Sequence, residues 1–168
     1  MNLKQSLRLF HLWISVLFLT SSQLGWSKEL TGRLGLGYNA QFSGYHSNGF
    51  KIPGISLKYA LHRDLAIEGI LQFATTSPSS YATAVKLFKN VILEPYYNFY
   101  LVGGFGLISA PQAGVQFLAG MGVEFFIPGL DSVGFALETG ATFDNGTGTY
   151  ALKSFGASFL DAGIHFYF

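Results

Sequence analysis

From about residue 29 onward, apolar residues recur at every second position in short stretches, and turn-forming residues separate one stretch from the next. Side chains on a β-strand point alternately to opposite faces, so each stretch describes a strand with one apolar face and one polar or small face. "LAIEGILQFA" is the clearest case: Leu65, Ile67, Leu71 and Phe73 oppose Glu68 and Gln72. No apolar run beyond the N-terminus reaches the roughly 18 residues that a spanning helix needs. The longest, Phe99 to Ile108, is interrupted by glycines at 103, 104 and 106.

Eight such stretches can be read. "ELTGRLGLGYNAQF" sets Leu30, Leu34, Leu36 and Tyr38 against Thr31, Arg33, Gly35 and Gly37, and "GISLKYAL" sets Ile55, Leu57, Tyr59 and Leu61 against Ser56, Lys58 and Ala60. The turn "HRD" leads into "LAIEGILQFA". A fourth stretch, about residues 82–94, has the least regular phase. Next come "NFYLVGGFGLI", "VQFLAGMGVEFF" and "VGFALETGATF", and the chain ends in "DAGIHFYF". The connections near 43–53, 75–80, 109–114 and 144–154 read as longer than those near 62–64, 95–97 and 127–132.

Composition says what surrounds these faces. The 168 residues are 49% hydrophobic and 17% aromatic but only 11% charged, against about 25% charged in an average soluble domain. An ordinary water-facing surface needs more charge than that. Cysteine is absent, which excludes a disulfide framework and a lipid-modified cysteine. No basic patch argues for nucleic acid.

The first 27 residues form a separate element. Lys4 and Arg8 precede an apolar stretch from Leu9 to Thr20, and Gly25 and Ser27 stand at −3 and −1 of a cut before Lys28. This is the pattern of a secretory signal peptide, and its apolar stretch is too short for a transmembrane anchor. The expected domains are a signal peptide at 1–27 and a barrel at 28–168.

In "DAGIHFYF", Ala162, Ile164, Phe166 and Phe168 share one face, and Asp161, Gly163, His165 and Tyr167 share the other. An unpaired apolar edge at the terminus invites aggregation, whereas closure onto the first strand removes the edge. The expected fold is therefore all-β, an eight-stranded antiparallel up-and-down transmembrane β-barrel.

With these residues in view, the chain resembles the small OmpA/OmpX-like outer-membrane barrel family. The likeness covers the expected barrel, and its end resembles the family's C-terminal assembly signal, carried by Asp161, Gly163, Phe166 and Phe168. The resemblance implies an outer-membrane location after export and leader cleavage. It also implies contact with outer-membrane lipid and lipopolysaccharide, and handling by periplasmic chaperones and the barrel-assembly machinery. The role it implies is structural or surface-interacting, with no surface partner identified.

Parity places Arg33, Lys58, Lys86, Glu68, Glu124 and Glu138 on inward faces. An eight-stranded barrel has room inside for side chains and little else, so these charges are expected to pair as an interior ion-pair network that plugs the lumen. The inward glycines at 35, 37, 104, 106, 120, 122, 134, 140 and 163 would make room for them. The alternatives are a narrow gated pore, or a carrier of small hydrophobic molecules as in OmpW-like barrels. The mostly polar inward residues argue against the carrier.

No catalytic residue, cofactor or metal site is expected. "YHSNG" superficially resembles lipid A deacylases, but His46 and Ser47 are adjacent and would point to opposite faces of a strand. His165 and Asp161 are four apart, roughly 13 Å along a strand, too far for a dyad. His62 reads as a solvated turn residue, and four scattered histidines make no metal site. Aromatic girdles are expected at one end from Tyr38, Phe42, Phe73, Phe143 and Tyr150, and at the other from Tyr97, Phe99, Phe125, Phe166 and Phe168. Lys89 is the misfit, since it falls on the lipid face unless a bulge resets the phase or the headgroups lie nearby.

Overall fold

A computed structural model describes residue 28 and residues 30–39, 54–74, 80–109, 113–145, 150–153 and 159–168. They form β1 (Leu34–Asn39), β2 (Gly54–His62), β3 (Leu65–Ala74), β4 (Ser80–Leu93), β5 (Tyr97–Ser109), β6 (Ala113–Phe126), β7 (Val133–Asn145), β8 (Tyr150–Lys153) and β9 (Phe159–Tyr167). Each strand from β1 to β7 pairs antiparallel with the next, and β9 lies between β7 and β1. β8 pairs with the far end of β7, through Thr142 to Asn145. β8 and β9 are thus two pieces of the eighth wall strand, and the barrel is closed.

Among the described residues, the seam between β1 and β9 has paired positions from Gly35↔Tyr167 to Tyr38↔Ile164. Leu34 and Phe168 extend it by exchanging both backbone hydrogen bonds, at 3.1 and 2.9 Å. β5 and β6 pair along their whole length, from Tyr97↔Phe125 to Ser109↔Ala113.

Burial is inverted relative to a water-soluble domain. Leu36, Tyr38, Ile55, Leu57, Leu71, Phe73, Leu87, Leu101, Phe105, Phe117 and Leu137 are exposed, whereas Lys58, Glu68, Lys86, Glu124 and Glu138 are buried. Alternation produces this directly, because each strand turns its apolar side chains outward. Tyr38, Phe73, Tyr81 and Phe143 are exposed toward one end, and Tyr96, Tyr97, Phe125, Phe166 and Phe168 toward the other. Of the expected girdle, Phe42 and the Tyr150 side chain lie outside the described residues, as do the leader, His46 and Ser47.

Several expectations need correction. The first strand starts at Leu34, not near residue 29: Gly32 has φ +76°, which breaks the alternation and carries Leu30 off the outer face. Leu30 is instead buried with Ala60, Phe126 and Tyr167. The 144–154 stretch read as a loop contains β8, and only residues 110–112 separate β5 from β6. A register shift between Asn90 and Ile92 accounts for the irregular phase of β4. The interior is also less polar than parity suggested, since Ile70, Phe88, Tyr100, Val102, Ile108 and Leu118 form an apolar cluster inside.

The connections define two ends. Residues 63–64, 94–96 and 127–132 join strands at the turn end; residues 40–53, 75–79, 110–112 and 146–149 join them at the loop end.

Candidate functional site

Three neighbouring strands carry an alternating row of charge across one inner wall. Lys58 on β2 is the register partner of Glu68 on β3, and Glu68 is the partner of Lys86 on β4. The opposite wall supplies the other carboxylates. Lys58 Nζ donates to Glu124 Oε2 on β6 at 2.9 Å, and Lys86 Nζ to Glu138 Oε2 on β7 at 3.0 Å. Lys86 Nζ also lies 3.2 Å from Glu68 Oε2.

Glu68, with no exposed surface, is where the strands meet. Its Oε1 accepts from Asn39 Nδ2 on β1 at 3.1 Å and lies 2.9 Å from His165 Nε2 on β9. His165 Nδ1 is 3.1 Å from Glu124 Oε1, so the ring stands between two carboxylates. A neutral imidazole carries one N–H and can donate to only one of them. Tyr100 OH donates to Glu138 Oε1 at 2.9 Å, and Tyr167 OH to Glu124 Oε1 at 2.6 Å.

Aromatic rings complete the lysine surroundings. Lys58 Nζ lies 4.5 Å from the Phe88 ring centre and 5.3 Å from that of Tyr100, and Lys86 Nζ lies 5.2 Å from that of Phe88. Ring faces attract cations, so each lysine is held by carboxylates and by π-electrons. Gly37 and Gly122 create the space: a Cβ on Gly37 would stand 2.4 Å from His165 Cδ2, and one on Gly122 would stand 2.6 Å from the Tyr100 ring.

Five of the six residues expected in the network are thus joined. The sixth, Arg33, is not: it sits at the turn end, where its guanidinium donates to Tyr167 O at 3.1 Å and reaches Asp131 O and Ser132 Oγ at 3.5 Å. Arg33 follows Gly32 and directly precedes β1, so its place at the mouth, not a change of phase, keeps it from the network. His165, Tyr100, Tyr167 and Asn39 were not expected as partners. Parity turns all four inward, but it does not reveal which of them share a level across the barrel.

Among the described residues, buried carboxylates outnumber buried lysines. Asp161 is buried, with Glu138 as its register partner, and Asp144 is buried toward the loop end, where it accepts from Gln116 Nε2 at 2.5 Å. Ser56 Oγ is buried without a hydrogen-bond partner. Both His165 nitrogens face carboxylates, so neither is left to activate that hydroxyl. No group of three or more His, Cys, Asp or Glu residues among those described could hold a metal ion. In the closing strand, Asp161 and Gly163 keep the inward phase, while Phe166 and Phe168 stand exposed outside.

Lys89 faces outward at the turn end and pairs with Asp64 in the β2–β3 turn, which also contacts His62 Nδ1 at 2.7 Å. The bonds from Lys89 and then His62 hold the Asp64 carboxyl at about 2, below its ordinary 3.8. A carboxylate depressed on folding stabilises above its unfolded value and loses that contribution as pH falls toward the folded one. Because the pair is solvent-exposed, Asp64→Asn should cost under about 1 kcal/mol at neutral pH. Denaturant titrations should show the difference shrinking from about pH 4 downward and vanishing near pH 2.

The fold has a solved counterpart. The crystal structure of the N-terminal β-barrel domain of Pseudomonas aeruginosa OprF superposes with a TM-score of 0.59 at 11% identity, covering 82% of this chain and 98% of that one. No protein-family model matches the chain, and no curated protein matches it.

Proposed function

We propose that the chain is an integral outer-membrane β-barrel protein without enzymatic activity, with a plugged, charge-paired interior and a structural or surface-interaction role. The observation that carries this reading is the inverted burial: a continuous apolar exterior around buried lysines and carboxylates. An exposed apolar belt of this extent is stable against lipid and unstable in water. The OprF barrel likeness supports the same location. In this reading the leader at 1–27 directs export, the turn end lies in the periplasm and the loop end meets lipopolysaccharide. The closing strand, with Asp161, Gly163, Phe166 and Phe168, is what periplasmic chaperones and the barrel-assembly machinery handle during insertion.

A narrow gated pore is the second reading, and buried acceptors without partners favour it. Asn98 Oδ1 lies toward the turn end, and Asn39 Oδ1, Ser56 Oγ and Gln116 Oε1 lie toward the loop end. Such atoms call for water. A hydrophobic carrier would need the interior apolar cluster to part, and there Phe88 and Tyr100 are in edge-to-face contact with ring centres 5.2 Å apart.

Single-channel recording from the refolded residues 28–168 in a planar bilayer separates the readings. The expected result is silence from a barrel whose folding is verified by heat-modifiable gel mobility. Reproducible steps that change in Glu68→Gln, Glu124→Gln or Glu138→Gln would replace the plug with the pore.

A further inference from the structure

The residues before β1 do not trail away from the barrel. Lys28 reaches the far side of the turn end: its backbone N–H donates to Glu94 O in the β4–β5 connection at 3.3 Å, and its Nζ pairs with Asp131 in the β6–β7 connection at 2.5 Å. The same ammonium stands 5.6 Å from the centre of the Phe126 ring. β1, where this segment rejoins the wall, lies between β2 and β9. The segment therefore crosses the opening.

Its middle is fixed as firmly as its end. Gly32 N–H donates to Ala60 O at 2.8 Å, Ala60 N–H to Arg33 O at 3.2 Å, and Arg33 N–H to Leu30 O at 2.9 Å. This turn directs the Leu30 side chain against Ala60 of β2, Phe126 of β6 and Tyr167 of β9. All three are inward residues from different parts of the wall. Tyr167 in turn donates to Glu124, so Leu30 sits one layer below the ion-pair network.

We propose that Lys28 and residues 30–33 are a built-in stopper for the turn-end mouth, with Leu30 as the plug and the Lys28–Asp131 pair as its clasp. The proposal deepens the membrane-barrel reading and rests on it: the lumen is closed twice, by the network in the middle and by the stopper at one end. The clasp is exposed on the Asp131 side, where the side chain is 78% accessible. The stopper is thus held at its tip by a contact that water and salt weaken.

Because the chain has no cysteine, Ala60→Cys places a single thiol directly beneath the stopper. The test measures its rate of labelling by a water-soluble maleimide in the refolded barrel, alone and combined with Leu30→Asn or Asp131→Asn. Folding of each protein is checked by gel mobility, and the exposed Asp131→Asn change provides a folded comparison should Leu30→Asn not refold. The proposal expects labelling to accelerate by about tenfold or more in a folded stopper variant, as local opening of a covering segment does. An unchanged rate would show that the wall alone shields Ala60 and would overturn the proposal. Conductance of the same proteins reports on the network separately. Faster labelling with silent bilayers supports the stopper and the plug together, whereas faster labelling with open channels supports the stopper and removes the plug.

Discussion

Replacing Glu68 by alanine is expected to destabilise the barrel by about 3 to 5 kcal/mol, the usual cost of removing one member of a buried ion pair. The reason is local. Asn39 Nδ2, His165 Nε2 and Lys86 Nζ all lie within 3.2 Å of this one carboxylate, and its removal leaves them facing a cavity. Urea unfolding of the refolded protein in lipid vesicles, followed by gel mobility, measures the loss. Adding Lys86→Met should deepen the loss rather than recover it, because Lys86 still pairs with Glu138 at 3.0 Å when Glu68 is gone, and that buried pair would then be broken as well. A single variant as stable as the parent would mean that water replaces the carboxylate, and the plugged interior would have to be abandoned.

The second large effect is steric. Gly120 and Gly140 are register partners on β6 and β7, and a Cβ on Gly140 would stand 2.2 Å from the Ala119 carbonyl oxygen and 2.5 Å from Gly120 Cα. Backbone cannot rotate aside as a side-chain tip can, so Gly140→Ala must push the strands apart. Overpacking of this kind costs about 1 to 3 kcal/mol. Gly69 is the matched control: it lies on the outer face of β3 with no atom within 4 Å of its would-be Cβ, and Gly69→Ala should stay within about 0.5 kcal/mol of the parent. The same unfolding assay compares them, and equal effects would contradict the close approach of β6 and β7.

Much of this fold was legible because period-two alternation is a local property. β3 matches its expected span residue for residue, and β2, β5, β6 and β7 match within two residues at either end. Alternation misled where a neighbouring rule intervened. At Gly32 a left-handed turn resets the phase, which displaced Leu30; Arg33, just before β1, is too close to the mouth to reach the network. At residues 150–153 a Gly- and Thr-rich approach read as loop, yet the segment pairs with β7. Parity assigned Lys58, Lys86, Glu68, Glu124 and Glu138 to the lumen because it needs no knowledge of other strands. Which carboxylate meets which lysine depends on the stagger of strands around the closed wall, and no stretch of sequence contains that. His165 was read only against Asp161 on its own strand, while its partners lie on β3 and β6.

The seam between β1 and β9 has a mechanical consequence. It is where the cylinder closes on itself, and residues 164–168 run in it. His165 acts there as a rivet: projecting from β9, it is gripped by Glu68 and Glu124 on two other strands. Pulling the C-terminal strand away therefore has to break the side-chain core as well as the ladder. Resistance to peeling is set by the lumen, not by the edge being peeled.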